Sequence, residues 1–194
     1  GLELADALGV DLVPGRDRVV GDMDSLAGPR LGAALESGID VERFPVDKDA
    51  TDLALALDDA AAAAGSGDRL LVIATRSGRL DHMLATVPLL AAAPYDDYER
   101  DAWVDDDTLH VVRGLRRLTL QPGATMSVLP IHGDAVVTLR GVRWELRSQR
   151  LSAGTSLGVS NVVEQPRVTI DVVEGTALVV VPRPEHDEEP EDVR

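Results

Sequence analysis

Cysteine is absent from the 194-residue chain, which excludes disulfides, a thiolate metal site and a thiol nucleophile. Aromatic residues make up only 3% of a chain that is 44% hydrophobic, so the core has to be built from Val, Leu and Ala. No apolar run reaches the roughly 18–20 residues that a membrane helix needs. Lysine is nearly missing as well: Lys48 is the sole example, and every other basic side chain is an arginine. The amino terminus carries Glu3 and Asp6 where a secretory signal would be basic. It also lacks an initiator methionine, so a start inside a longer protein is expected. The plain expectation is a cytoplasmic protein.

Acid is what the chain has in excess, with a net charge of −15. A field of that sign disfavours nucleic-acid backbones, so neither nucleic acid nor membrane is expected as a partner. Excess acid with arginine in place of lysine fits a salt-rich cytoplasm, which predicts activity in molar KCl. A solvated acidic surface in a chain from a GC-rich genome is the plainer alternative. The length allows one large domain or two small ones.

The pattern changes once along the chain. Up to about residue 90, short apolar strands alternate with alanine-rich helical segments. Residues 2–9, 29–37, 50–64 and 79–90 are predicted helical, and 18–20 and 69–74 are predicted strands. In 50–64, Leu53 and Leu57 form an apolar line. In 79–90, Leu80, Met83, Leu84 and Val87 share a helical face, and Pro88 predicts a kink or an early end. The run "RLLVIA" (69–74) predicts a strand covered on both faces.

This alternation predicts an α/β, Rossmann-like domain with a mostly parallel sheet. Residues 91–107 are acidic and loop-like. Beyond about 108 only strands are predicted, with a hairpin turn at Glu174-Gly175, as in a small antiparallel β-sandwich. The expected layout is a catalytic domain over 1–115, a sandwich over 116–182 and an acidic disordered tail over 183–194.

Three polar clusters fall at carboxyl ends of the predicted strands, where open α/β sheets bind ligands. The first is "GDMDS" (21–25). Asp22 and Asp24 point the same way in extended chain, and at 4–5 Å they would repel by roughly 3–4 kcal/mol. A divalent cation reverses that cost; a turn with a helix cap is the other reading. The second is "DKDATD" (47–52). Asp49 can cap the following helix with Asp52 favoured by its dipole, leaving Asp47, Lys48 and Thr51 over. Lysine at such a place can meet a phosphate, or it merely neutralises its neighbours. The third is "TRSGRLDH" (75–82), a small-residue loop with two arginines suited to an anion. His82 on its own reads rather as a capping or core-edge histidine.

A P-loop, a dinucleotide fingerprint and zinc-ligand spacing are all missing from the sequence. Acids for Mg2+ and cations for phosphate remain, which is equipment for phosphoryl-type transfer.

In order and spacing, "GDMDS", "DKDATD" and "SGRLDH" (77–82) resemble the G-D-x-D-S, D-[KQ]-D-x-T-D and G-G-R-x-D-H segments of the thiamine pyrophosphokinase (thiamine diphosphokinase) family. "SVLP" (127–130), "GVRWEL" (141–146) and "SN" (160–161) resemble segments of that family's β-sandwich. The likeness covers nearly the whole chain apart from the tail.

The resemblance implies transfer of the pyrophosphoryl group of ATP to thiamine, with release of AMP. It implies Mg2+ held by Asp22, Asp24 and Asp52, which would be the catalytic acids. It implies a nucleotide site lined by Lys48, Asp49, Thr51, Arg79, Asp81 and His82. Thiamine recognition would fall to Trp144, Ser160 and Asn161, in a homodimer. Trp144 as plain sandwich core is the other reading of that residue.

The family opens with a strand and an A-D-G-G-type segment, so a central strand is expected upstream of Gly1. Ser77-Gly78 stands for the family's G-G pair, and Thr86 for an asparagine. Two further functions share these residues: a pyrophosphokinase for another alcohol, such as a hydroxymethylpterin, and a non-catalytic nucleotide- or thiamine-binding relative.

Overall fold

The computed structural model describes residues 1–22, 29–75 and 80–183. Asp24, Arg79 and the predicted tail from 184 onward lie outside the described residues. By internal packing the chain divides into two units, Gly1–Ser66 and Gly67–Arg194.

The first unit holds helix α1 (Leu2–Ala7), strand β1 (Arg18–Gly21), helix α2 (Pro29–Glu36), strand β2 (Asp40–Arg43) and helix α3 (Asp52–Ala63). β1 and β2 pair in parallel, Val19 opposite Val41. Val19, Leu31, Ala34 and Ile39 form the core, with Leu2, Leu12 and Val41 packed against it. α3 is helical because ten of its twelve residues are Ala, Leu or first-turn Asp, all compatible with a helix. Thr51 is its N-cap, accepting from the Ala54 N–H at 3.2 Å. The cap is thus two residues later than predicted, and Asp52 is the first helical residue. Of the predicted apolar line, Leu57 is buried and Leu53 half-buried.

The second unit opens with strand β3 (Arg69–Ala74), helix α4 (Leu80–Leu90) and strand β4 (Glu99–Val104). Long strands β5 (Asp107–Thr119), β6 (Thr125–Arg140) and β9 (Arg167–Val181) follow, with β7 (Leu146–Leu151) and β8 (Asn161–Val162). One seven-stranded sheet runs β3-β4-β5-β9-β6-β7, and β8 pairs with β6. β3 and β4 are parallel, and every pairing from β4 onward is antiparallel.

The mostly parallel catalytic sheet expected from the sequence is therefore corrected. The parallel pairs are β1–β2 and β3–β4, and the latter continues directly into antiparallel strands, giving a mixed sheet. β4 itself falls inside the predicted acidic loop. Its sequence, ERDAWV, buries Arg100 and Asp101 along with Ala102 and Val104, so its polar residues hid a core strand. Nor is β3 covered on both faces: Leu70 and Val72 are buried, while Leu71 and Ile73 are each 42% exposed. On α4, Leu80, Met83 and Leu84 are exposed and Leu90 is buried. α4 carries Pro88 within it and ends two residues later.

The predicted hairpin at Glu174-Gly175 is a bend inside one continuous strand, β9. Gly114, Gly133 and Gly175 take φ of 70°, 128° and 77°. They lie close to the register shifts of β5, β6 and β9. There bulges interrupt the ladders and bend the strands. A Cβ on Gly175 would collide with the Asp134 carbonyl oxygen. Met126, Val128, Ala177 and Val179 on one side of the bends, and Val137, Leu139, Val168, Ile170 and Val172 on the other, share one core. Sandwich-like packing thus comes from bent strands.

Candidate functional site

In the first unit the chain brings Asp22, Lys48 and Asp52 together. Asp22 follows β1, Lys48 lies in the loop between β2 and α3, and Asp52 begins α3. Lys48 Nζ is 2.6 Å from Asp22 Oδ2 and 2.9 Å from Asp52 Oδ1. The Lys48 and Asp22 side chains are only 11% and 14% exposed, whereas Asp52 is 49% exposed. The hydrogen bond to Asp22, then that to Asp52, hold the Lys48 ammonium above its ordinary pKa.

Gly21 makes the approach possible. Its φ is 154°, and a Cβ there would stand 3.0 Å from Asp52 Cγ and Oδ2. A side chain at 21 would push the Asp52 carboxylate away from Lys48. The glycine of "GDMDS" thus has a physical reason, which the sequence alone left as a strand end.

Two carboxylates already converging on one cation are hard oxygen donors. Magnesium is bound by one or two carboxylates plus substrate phosphates and retains waters, so the residues fit that ion. Among the described residues no group of three or more His, Asp or Glu is arranged to hold a metal, and Asp24 lies outside them. Asp49 is exposed in the same loop. Thr51 Oγ1 accepts from the helix and keeps its proton to donate.

In the second unit, Asp81 and His82 occupy the exposed first turn of α4. The carbonyl of His82 accepts from Thr86 Oγ1 at 2.9 Å.

A second cluster of the same unit gathers the three β-region motifs. Trp144 lies in the loop between β6 and β7 and is 57% exposed, so the core reading of this residue is excluded. The Arg143 guanidinium carbon sits 5.6 Å from the indole centroid. Ser160 is held at φ 56°, and its N–H donates to Ser127 Oγ at 3.0 Å. Asn161 is buried and bonds the Trp144 backbone through both ends of its amide. Neither Ser127 nor Arg143 stands among the site residues expected from the sequence, although they lie inside "SVLP" and "GVRWEL" respectively.

An α/β unit with acids gathered on a lysine and a β unit that displays a braced tryptophan stand in one chain, a pairing compatible with a phosphorylated and an aromatic ligand. The comparisons narrow that reading. Residues 8–99 match the thiamin pyrophosphokinase catalytic domain, and residues 110–176 match the thiamin pyrophosphokinase vitamin B1 binding domain. The chain belongs to the thiamine pyrophosphokinase family.

No curated protein sequence matches it. Solved structures share its fold. A thiamin pyrophosphokinase family protein from Enterococcus faecalis is 21% identical, with a TM-score of 0.77 over 94% of this chain and 84% of that one. Thiamine pyrophosphokinase from Bacillus subtilis is 22% identical, with a TM-score of 0.73 over 90% and 81%. That from Candida albicans is 11% identical, with a TM-score of 0.74 over 92% and 77%.

Proposed function

We propose that the chain transfers the pyrophosphoryl group of ATP to the hydroxyethyl oxygen of thiamine, giving thiamine diphosphate and AMP. The observation that carries this reading is the Asp22–Lys48–Asp52 cluster within a chain that matches both domains of the family. Asp22 and Asp52, with Asp24 as the third acid, would hold Mg2+. That ion would supply charge neutralisation for the phosphates. Lys48 offers a positive charge to a phosphate oxygen. Asp49, Thr51, Arg79, Asp81 and His82 complete the proposed nucleotide site. Trp144 presents an aromatic face to a cationic heterocycle, with a contribution from Ser160, the chain neighbour of the Asn161 that bonds the Trp144 backbone.

We assign residues 1–115 to nucleotide chemistry and 116–182 to thiamine. The positions of the two domain matches support that division of labour, although internal packing divides the chain earlier, at Ser66. A homodimer in the cytoplasm is part of the same proposal. It rests on the resemblance, and sedimentation of the pure protein tests the dimer.

Asp22→Ala should abolish thiamine-dependent AMP release while leaving the far-ultraviolet circular dichroism unchanged. Release at the parental rate would remove Asp22 from the site.

A further inference from the structure

We infer that Asn161 serves thiamine binding by positioning Trp144, and does so without touching the vitamin. This rests on the reading of Trp144 given above. Asn161 is one of four buried polar residues among those described, at 3% exposure. Burying an amide is costly unless its hydrogen bonds are made. Asn161 Oδ1 accepts from the Trp144 N–H at 3.1 Å and from the Val162 N–H at 2.9 Å, while Nδ2 donates to the Trp144 carbonyl at 2.8 Å. Both lone pairs and one of two protons are used inside the protein. Little of this side chain is left to recognise a ligand.

What it holds is a loop whose outer residue is exposed. Around it, the Arg143 N–H donates to the Val162 carbonyl at 2.8 Å, and the Glu164 N–H to the Gly141 carbonyl at 2.9 Å. Gly141 permits this closure: its φ is 87°, and a Cβ would stand 2.6 Å from the Arg167 carbonyl oxygen. Arg143 packs over the indole and pairs with Glu164 at 3.3 Å. The backbone of Trp144 is thus clamped on both its N–H and its carbonyl, while the indole stays in water. A core has no use for an exposed tryptophan held this firmly. A platform that must keep its angle to a ligand has one, because a fixed geometry avoids ordering cost on binding.

The test is a double-mutant cycle on thiamine affinity, read by calorimetry in W144A, N161A and the double variant. N161A should weaken thiamine on the order of ten-fold, as losing a hydrogen-bonded clamp does, and leave the affinity for a non-hydrolysable ATP analogue unchanged. On the W144A background the same change should cost less than about two-fold. Equal losses on both backgrounds would overturn the inference, as would N161A that lowers the melting temperature but leaves thiamine affinity intact.

A ligand-free arm keeps the two readings apart. In a W103F background Trp144 is the sole fluorophore of its kind, and N161A should increase its quenching by acrylamide. Unchanged quenching would contradict positioning. Failure of the parental protein to bind thiamine would instead contradict the proposed function. Should N161A not fold, N161D has the same shape and enters both arms in its place.

Discussion

At the residue scale the account turns on Lys48, the one lysine of the chain. Asp22 and Asp52 would repel each other without a cation between them, and the ammonium supplies it. Lys48→Met keeps the bulk and removes the charge. It should raise the affinity for Mg2+ or Mn2+ measured without nucleotide, since a competing cation is gone, and should lower ATP affinity on the order of ten-fold. Calorimetry with the metal alone, then with ATP, checks both; unchanged metal affinity would show that Lys48 does not occupy the ion's place. The residues of this cluster were legible as a surplus of charge beyond what a helix cap needs. The cap was misplaced because Asp is by preference the stronger cap, and only the Ala54 N–H, which donates to Thr51 Oγ1, decides for Thr51 over Asp49.

At the scale of elements, β4 and the bent strands carry the lesson. β4 was missed because Arg100 and Asp101 make it polar, and the cost of burying Asp101 is met by partners on other strands. Asp101 Oδ1 lies 2.7 Å from His110 Nδ1 and 2.7 Å from Arg116 Nη2, and Arg69 Nε is 3.3 Å from Oδ2. Burial alone would raise the Asp101 carboxyl; the hydrogen bond and charge of His110, then Arg116, outweigh it and hold the group below its usual range. A depressed carboxyl stabilises the fold fully above its unfolded pKa of about 3.9 and loses that contribution as pH falls through the lower folded value. Asp101→Asn should therefore lower the melting temperature at neutral pH, with the gap to the parent closing in acid below about pH 4. A constant gap across pH would contradict the pairing.

The bend in β9 was read as a hairpin because Glu-Gly is turn chemistry in either case. Only the partners Val172 and Ala177, both paired to β5, show that the strand goes on. Gly175→Ala should cost at least about 1–2 kcal/mol from its φ of 77° alone, with the collision at Asp134 added. Chemical denaturation measures it, and an unchanged midpoint would mean the bend tolerates a side chain.

For the whole molecule, the order of motifs along the chain was the most legible feature, and the sheet was the least. Short parallel strands and helices announce α/β structure by alternation. Nothing local in "RLLVIA" or "ERDAWV" tells that their pairing is followed at once by antiparallel neighbours, since pairing direction is set by connections far apart in sequence. The two domain matches, 8–99 and 110–176, join these parts into one reaction. The most direct measurement is the product balance with ATP, thiamine and Mg2+. The account predicts AMP and thiamine diphosphate in equal amounts, with neither formed when thiamine is omitted or the metal is chelated. ADP with thiamine monophosphate, or nucleotide turnover that ignores thiamine, would contradict it.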